Sequence, residues 1–198
     1  NLIDDSNLKN QNFKFFIDNK DYINASVIPG PKFFFTKKLL MESKSVDQIA
    51  GVIAHEIGHV VGGHFVKSHD AFKESSIINI LSSIIAAGAI ASGAPGAGSA
   101  ILMGGQHISQ VNLLAFSRSQ ESFADQTAIR FLKKSGFSVH GLMEMFKLLE
   151  RNEKFKQFNP YFLTHPLSSE RMKNIEFHLD QKKTKDFVHL NKEFLLIK

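Results

Sequence analysis

The pattern of apolar and polar positions changes once along the chain, near residue 37. Before this point, short apolar runs and a Pro-Gly-Pro turn signal predict three strands, at Phe13–Asp18, Tyr22–Ile28 and Lys32–Thr36. After it, apolar residues recur at the spacing of helices. The pattern therefore predicts an α+β fold, in which a small N-terminal antiparallel sheet is followed by a helical body.

The first long helix has the clearest start signal. Ser45 and Gln48 have the spacing of a capping box, and apolar residues then follow from Ile49 to Val61 at the spacing of a mostly buried helix. Later segments predict further helices near Ile77–Ala91, Ser99–Ala115, Arg118–Lys134, Val139–Asn152, Ser168–Leu179 and Phe187–Ile197. A loop is expected between Phe155 and Leu167.

A charge-free stretch runs from Ser75 to Ser117 and is rich in Ile, Ala, Ser and Gly. The Gly and Pro residues within Ser92–Gly98 predict a turn, so the stretch is typical of a helical hairpin. As a helix, Ile77–Ala94 would be about 27 Å long, slightly short of a bilayer core, and it contains several polar residues and glycines. Two alternatives stay open: a mobile or folded amphipathic hairpin, with or without contact with a membrane surface, or a hairpin inserted into lipid.

Composition narrows the class of protein. The chain has 198 residues, enough for one ordinary domain with a sizeable core. It contains no cysteine, which excludes disulfide scaffolds, thiolate zinc sites and cysteine nucleophiles. Its net charge of +5 is spread along the chain, without the basic stripe that a nucleic-acid-binding surface needs. We therefore expect no nucleic-acid partner.

His55, Glu56 and His59 form an HExxH motif, with Ile57 and Gly58 between them. Two imidazoles four residues apart lie on one side of a helix, which lets both bind one zinc ion. The glutamate lies beside them, where it can take a proton from a water molecule that the metal activates. Burying these side chains without a metal would be costly, so a purely structural role is a poor explanation.

A catalytic zinc also needs a third protein ligand and an open position. His64 turns to the opposite face if the motif helix continues, so we expect it to pack or to cap. Glu121 and Asp125, one turn apart, offer a better solution. The glutamate would bind the metal, and the aspartate would hold a ligand imidazole by its other ring nitrogen. Gly58 and Ala124 are small enough to let the two helices approach closely.

Several motifs in order give the chain a specific resemblance. They are the Asn24-Ala25 strand with the Pro-Gly turn after it, HEIGHVVGGH at 55–64, the charge-poor hairpin, SRSQESFAD at 117–125, KKSGF at 133–137 and THPLSSERM at 164–172. From Phe13 to Leu179 the chain resembles the metallopeptidase family that includes bacterial HtpX and BepA and the CAAX prenyl endopeptidases. It is most similar to the soluble periplasmic BepA-type branch, because the integral-membrane branch has convincing membrane-spanning segments, which we do not expect in this chain.

The resemblance implies a mainly helical zincin of the gluzincin type over residues 1–180. It implies one Zn²⁺ per chain, with His55, His59 and Glu121 as ligands and the motif glutamate as general base. It also implies an endopeptidase that hydrolyses unfolded or misfolded envelope proteins in the bacterial periplasm. Outer-membrane assembly partners are a further expectation. Residues 181–198 would then begin a linker or a helical, tetratricopeptide-like region.

His165 and Arg171 have more than one interpretation. THPLSSER places the histidine on the loop before a helix and the arginine inside that helix, where both would ordinarily be exposed. Alternatively, either side chain approaches the metal from the far side and stabilises the oxyanion of a tetrahedral intermediate. In another alternative, His165 occupies the open zinc position and gates access to the metal.

Asn24 and Ala25 are candidates for substrate contact. A strand beside the metal-binding helix can pair with an extended peptide through main-chain hydrogen bonds, and Tyr22–Val27 is the candidate edge. Asn24 is otherwise a turn residue at the end of that strand.

Two other functions stay open. One is a zinc-bearing, chaperone-like binding module that is latent because His165 stays on the metal, with the charge-free hairpin as its partner surface. Glu56 argues against permanent inactivity, because a structural zinc site has no use for it. The other is a membrane-embedded protease, with Ile77–Ala115 as a hairpin in lipid.

Overall fold

A computed structural model describes residues 12–155, 161, 165–179 and 188–197. The chain forms two compact units: Asn1–Gly62 together with Glu121–Lys198, and Gly63–Gln120. The strands are β1 (Lys14–Asp18), β2 (Ala25–Ile28) and β3 (Lys32–Thr36). The helices of the described part are α1 (Lys37–Glu42), α2 (Val46–Gly62), α3 (His64–Ala91), α4 (Pro95–Ser135), α5 (Val139–Phe155), α6 (Ser169–Phe177) and α7 (Val188–Ile197).

The three strands form one sheet in the order β1-β3-β2. β2 and β3 are an antiparallel hairpin, whose turn places Gly30 at a φ of 87°, a left-handed conformation that favours glycine. β1 pairs with β3 in parallel, so the sheet is mixed and the expectation of a purely antiparallel sheet is wrong. Because β1 and β2 both pair with β3, β3 lies in the centre of the sheet. Across the β1–β3 pair, the rings of Phe16 and Phe34 stack 5.0 Å apart.

Helix α2, which carries the HExxH motif, lies in the core of the first unit and packs against β2 and α5. It begins as predicted, because Ser45 Oγ accepts a hydrogen bond from the Gln48 amide. A side chain at Gly51 would place its Cβ 2.8 Å from the backbone of Leu142, so α2 and α5 are in backbone contact. The core around them is built from buried apolar side chains, among them Phe33, Leu39, Ile57, Leu132, Leu142, Phe146, Leu149 and Ile175.

The end of α2 corrects one prediction. The helix stops at Gly62, and Gly63 has a φ of 62°, so His64 begins α3 in the second unit rather than continuing the motif helix. The prediction that His64 lies on the opposite face of one continuous helix is therefore wrong. His64 is buried, and its carbonyl accepts a hydrogen bond from Gln120 Nε2.

The second unit is the predicted helical hairpin, with two differences. Its first helix, α3, begins thirteen residues before the predicted Ile77, at His64. Its second helix continues through the expected break between Ala115 and Arg118 as the single helix α4, because this segment contains neither glycine nor proline. By length and composition, one helix of the described residues, α3, is long and apolar enough to cross a membrane.

The last predicted elements lie close to their observed positions. Helices α6 and α7 match the segments expected near 168–179 and 187–197. Most of the expected loop between Phe155 and Leu167 lies outside the described residues.

Candidate metal centre

Four side chains converge on one point in the first unit: His55, His59, Glu121 and His165. One ligand-type atom from each lies within 4.8 Å of the other three. His55 Nε2 is 3.1 Å from His59 Nε2, 3.4 Å from His165 Nδ1 and 3.4 Å from Glu121 Oε2. Glu121 Oε1 is 3.2 Å from His165 Nδ1 and 3.4 Å from His59 Nε2.

The separations from His55 Nε2, 3.1 to 3.4 Å, are close to those between the ligands of a tetrahedral metal ion. Ligand bonds of about 2.0–2.1 Å to zinc give a tetrahedron with edges of about 3.3–3.4 Å. In addition, ring nitrogens that face each other repel through their lone pairs unless a proton or a cation lies between them. The donor set of three imidazoles and one carboxylate is one that zinc prefers.

Two helices bring most of these side chains together. α2 presents both motif histidines on one face, one turn apart, and α4 presents Glu121 toward them. The helices approach so closely that a Cβ at Gly58 would lie 2.7 Å from Ala124 Cα. The prediction that these two small residues allow close approach is therefore confirmed.

Behind the cluster, Asp125 links a cluster histidine to a cation. Its Oδ1 lies 2.9 Å from His55 Nδ1, the ring nitrogen that points away from the cluster. Arg171 Nε donates to Asp125 Oδ2 at 2.7 Å, and Nη2 donates to Oδ1 at 2.8 Å. Arg171 Nη1 is also 2.8 Å from Glu121 Oε2 and donates to the Pro166 carbonyl at 2.9 Å. The guanidinium thus supports two buried carboxylates.

Charge pairing controls the protonation of these groups. Burial would lower the pKa of His55, but Asp125 and Glu121 outweigh it and raise that pKa to about 9. Burial would likewise raise the pKa of both carboxyls. Contacts with His165 and His55 instead hold the pKa of Glu121 far below its usual range, and contacts with Arg171 and His55 lower the pKa of Asp125. Both carboxylates therefore stay ionised.

Glu56, His165 and Arg171 are all buried, with 1%, 6% and 7% of their surface exposed. The ordinary interpretation of an exposed histidine and a surface arginine is therefore wrong. Glu56 Oε1 lies 3.5 Å from His165 Nε2, so the motif glutamate borders the cluster on the side of that histidine. Arg171 contacts two carboxylates and a backbone carbonyl, which favours a positioning role over an oxyanion contact.

Asn24 and Ala25 lie at the sheet edge beside α2, as β2 is an edge strand of the described sheet. The Asn24 carbonyl accepts from the Thr36 amide at 3.0 Å, and the Asn24 amide donates to Thr36 Oγ1 at 3.0 Å. Hydrogen-bonded residues alternate along an antiparallel ladder, so the main-chain groups of Ala25 and Val27 point away from β3.

Comparison with known proteins assigns the chain to a family. It matches peptidase family M48 over residues 1–178. The chain belongs to this family. It is therefore classed among the metalloendopeptidases, which are hydrolases that depend on a metal ion.

The chain is similar to several proteases over different shares of its length. It is 29% identical to the beta-barrel assembly-enhancing protease of Escherichia coli K12 over 86% of the chain and 35% of that protein. It is 32% identical to the metalloprotease LoiP of the same organism over 69% of the chain and 51% of that protein. It is 27% identical to the mitochondrial metalloendopeptidase OMA1 of Schizosaccharomyces pombe over 82% of the chain and 45% of that protein. The chain spans about a third of the length of the first of these relatives.

Two aromatic residues beside the candidate site were not predicted from the sequence. The Tyr161 ring lies 4.6 Å from the His165 ring, and the Tyr161 carbonyl accepts a hydrogen bond from the His165 amide at 2.8 Å. Burial and the charge of Glu56 raise the pKa of this tyrosine well above its usual value, so it stays protonated. Phe146 lies beneath Arg171, 4.9 Å from its guanidinium carbon. The one feature of the sequence that could have indicated either residue is the four-residue spacing between Tyr161 and His165.

Proposed function

We propose that this chain is a zinc-dependent endopeptidase whose metal ligands are His55, His59 and Glu121. The observation that carries the proposal is the convergence of these side chains at tetrahedral spacing beside a buried glutamate. When bound there, zinc would polarise a peptide carbonyl and lower the pKa of a water molecule to about 7.

Glu56 is the proposed general base. Its carboxylate takes a proton from the attacking water while the water oxygen forms a bond to the carbonyl carbon of the peptide. The same carboxyl then gives the proton to the amide nitrogen, the carbon–nitrogen bond breaks, and a carboxylate and an amine leave. Burial of Glu56 supports this role, because a base screened from bulk water keeps the proton for the leaving group.

The open edge of β2 is the proposed binding site for the substrate backbone. Outward-pointing amides and carbonyls of Ala25 and Val27 would pair with an extended peptide, as an additional strand does. Asn24 lies at the start of this edge, where its backbone is held by Thr36. A binding mode that uses main-chain groups requires an extended substrate, so unfolded or misfolded polypeptides are the proposed substrate class.

His165 is the proposed gate. Its Nδ1 lies 3.4 Å from His55 Nε2, in the position that a water molecule or a substrate carbonyl would need. The conformation described here is then a closed, latent form, and His165 has to leave before a peptide is cut. This observation also supports the second candidate, a binding module that holds its metal without cutting.

A periplasmic location and a link to outer-membrane assembly are proposed on similarity alone. They rest on the relatives named beta-barrel assembly-enhancing protease. Because the chain covers only 35% of the Escherichia coli relative, partners that bind the rest of that protein do not follow from this similarity.

Cleavage of reduced, carboxymethylated casein by the zinc-loaded protein tests the proposed function. Wild-type protein should cut at internal peptide bonds, seen as new N-termini by mass spectrometry. Chelator treatment should stop cleavage, and added zinc should restore it. A protein that binds one zinc per chain and leaves both casein and short peptides intact would favour the binding module instead.

A further inference from the structure

The outer surface of the hairpin formed by residues 75–91 of α3 and 95–117 of α4 is largely apolar. Near its turn, large side chains stand in solvent: Met103 is 71% exposed, Ile84 63% and Ile85 59%. No charged residue occurs from Ser75 to Ser117. Surface helices of water-soluble proteins normally carry their charges on this side, so the pattern is the reverse of the usual one.

Several polar side chains of the hairpin are turned inward or bonded to their own helix. Ser109 Oγ donates to the Ser75 carbonyl at 3.2 Å and accepts from Asn79 Nδ2 at 3.4 Å, across the helix pair. On the outer surface, Ser83 Oγ donates to the Asn79 carbonyl at 2.8 Å, and Ser99 Oγ donates to the Gly96 carbonyl at 3.0 Å. Such bonds leave few polar groups that need water.

Small residues hold the two helices together. A Cβ at Gly98 would lie 2.5 Å from Ile90 Cγ1, and a Cβ at Gly105 would collide with the Ser82 side chain. Helices that approach through glycine and serine, rather than through a layer of large apolar side chains, are typical of association in lipid. The large apolar side chains then remain on the outside, where lipid would contact them.

On α4, exposed amide and imidazole side chains begin at a defined distance from the turn, although Ile108 and Leu114 beyond this point are also exposed. From Pro95 to Gly105, α4 has no charged or amide side chain, a rise of about 15 Å along the helix. Beyond it come the exposed polar residues Gln106, His107, Gln110 and Asn112. On α3, Ser82–Ala91 covers a similar height. Half of a bilayer core of about 30 Å is also about 15 Å thick.

We propose that the tip of this hairpin, residues 82–105, embeds in a single leaflet of a lipid bilayer. The polar residues of 106–112 then lie among the headgroups, and the hairpin does not cross the membrane. The occupant of the apolar surface is hydrocarbon rather than a protein. A surface that binds a protein has an apolar centre surrounded by a polar rim, whereas this tip has no charged residue on any side.

Flotation with phosphatidylcholine vesicles, using the whole chain, tests the proposal. Wild-type protein should rise with the vesicles through a density gradient. The Ile84→Glu and Met103→Glu variants should each lower the bound fraction at least tenfold. Leu114→Glu is the matched control: it replaces an equally apolar side chain, 55% exposed, beyond the polar residues, and should bind within twofold of wild type. Circular dichroism spectra should be unchanged in all three variants.

Depth is measured in the same vesicles. Because the chain has no cysteine, Met103→Cys and His107→Cys can each carry a single environment-sensitive fluorophore. The label at 103 should be quenched most by nitroxide deep in the acyl chain, and the label at 107 by nitroxide on the headgroup. Failure to float would overturn the proposal. A fluorophore at 103 that becomes buried without vesicles, through self-association of the protein, would also overturn it. So would a cysteine at the turn, in the Ser92→Cys variant, that reacts with a thiol reagent trapped inside the vesicles.

Discussion

Arg171 holds Asp125 in a two-point ion pair, with Nε and Nη2 at 2.7 and 2.8 Å from the two carboxylate oxygens. The same carboxylate lies 2.9 Å from His55 Nδ1. A chain of contacts thus leads from α6, through α4, to the first histidine of the HExxH motif. It fixes the orientation of the imidazole and, through it, the geometry of the proposed metal site.

Replacing Arg171 separates a positioning role from an oxyanion contact. Arg171→Lys keeps a positive charge but cannot form the two-point pair. We expect it to weaken zinc binding about 10–100-fold, the range seen when an outer-shell partner is lost. Arg171→Ala should also cost about 3–5 kcal/mol of stability, because it leaves buried carboxylates unpaired. Zinc affinity is measured by competition with a chelator. An unchanged affinity with a lower kcat would instead support the oxyanion contact.

Replacing His165 tests the proposed gate. His165→Ala should raise the rate of casein cleavage several-fold, because the fourth metal position becomes free. It should weaken zinc binding only modestly, since the other three ligands remain. Initial rates at saturating zinc give the first quantity, and chelator competition gives the second. Cleavage at the wild-type rate would contradict the gate.

The stability of chelator-treated protein should fall as pH rises. In the folded, metal-free protein the pKa of His55 is about 9, whereas its unperturbed value is 6.5. The folded state therefore binds this proton more tightly, so the stabilisation is complete below pH 6.5 and is lost as pH rises through 9. Thermal unfolding at pH 6, 7.5 and 9.5 measures it. A melting temperature that rises over this range would contradict the assignment.

Zinc uptake should show the opposite pH dependence. Zinc can bind His55 only after its proton leaves, so affinity should increase toward pH 9, with proton release near neutral pH. Calorimetry in two buffers with different ionisation enthalpies measures the released proton.

The helix contact at Gly58 should be sensitive to a single methyl group. Gly58→Ala places a Cβ 2.7 Å from Ala124 Cα and carbonyl oxygen, both on backbone that cannot move aside easily. We expect a loss of about 1–3 kcal/mol of stability and weaker zinc binding, because α2 and α4 are pushed apart. Gly88→Ala, where nothing lies within 4 Å of the added Cβ, is the matched control and should not destabilise the protein. Equal melting temperatures for the two variants would contradict this contact.

The sequence predicted those parts of the site in which local spacing determines geometry. Two histidines four residues apart must share one face of a helix, and so must Glu121 and Asp125. The two small residues Gly58 and Ala124 predicted the close approach of the helices correctly. The partners of Arg171 could not be predicted, because Asp125 is 46 residues away and only tertiary packing brings α6 beside α4.

The errors in the fold have similar causes. The sheet was expected to be antiparallel, but β1 runs parallel to β3, and a run of phenylalanines in both strands does not reveal their relative direction. A helix break was expected between Ala115 and Arg118, where the charge-free stretch ends. A change in charge does not interrupt a helix, however, and no glycine or proline marks the position.

The Glu56→Gln variant tests the central claim most directly, with metal content and casein cleavage measured on the same sample. Glutamine has nearly the same shape as glutamate, but it cannot accept a proton. The account predicts one zinc per chain, as in the wild type, and a turnover lower by at least about 100-fold. Cleavage near the wild-type rate with zinc bound would contradict the account.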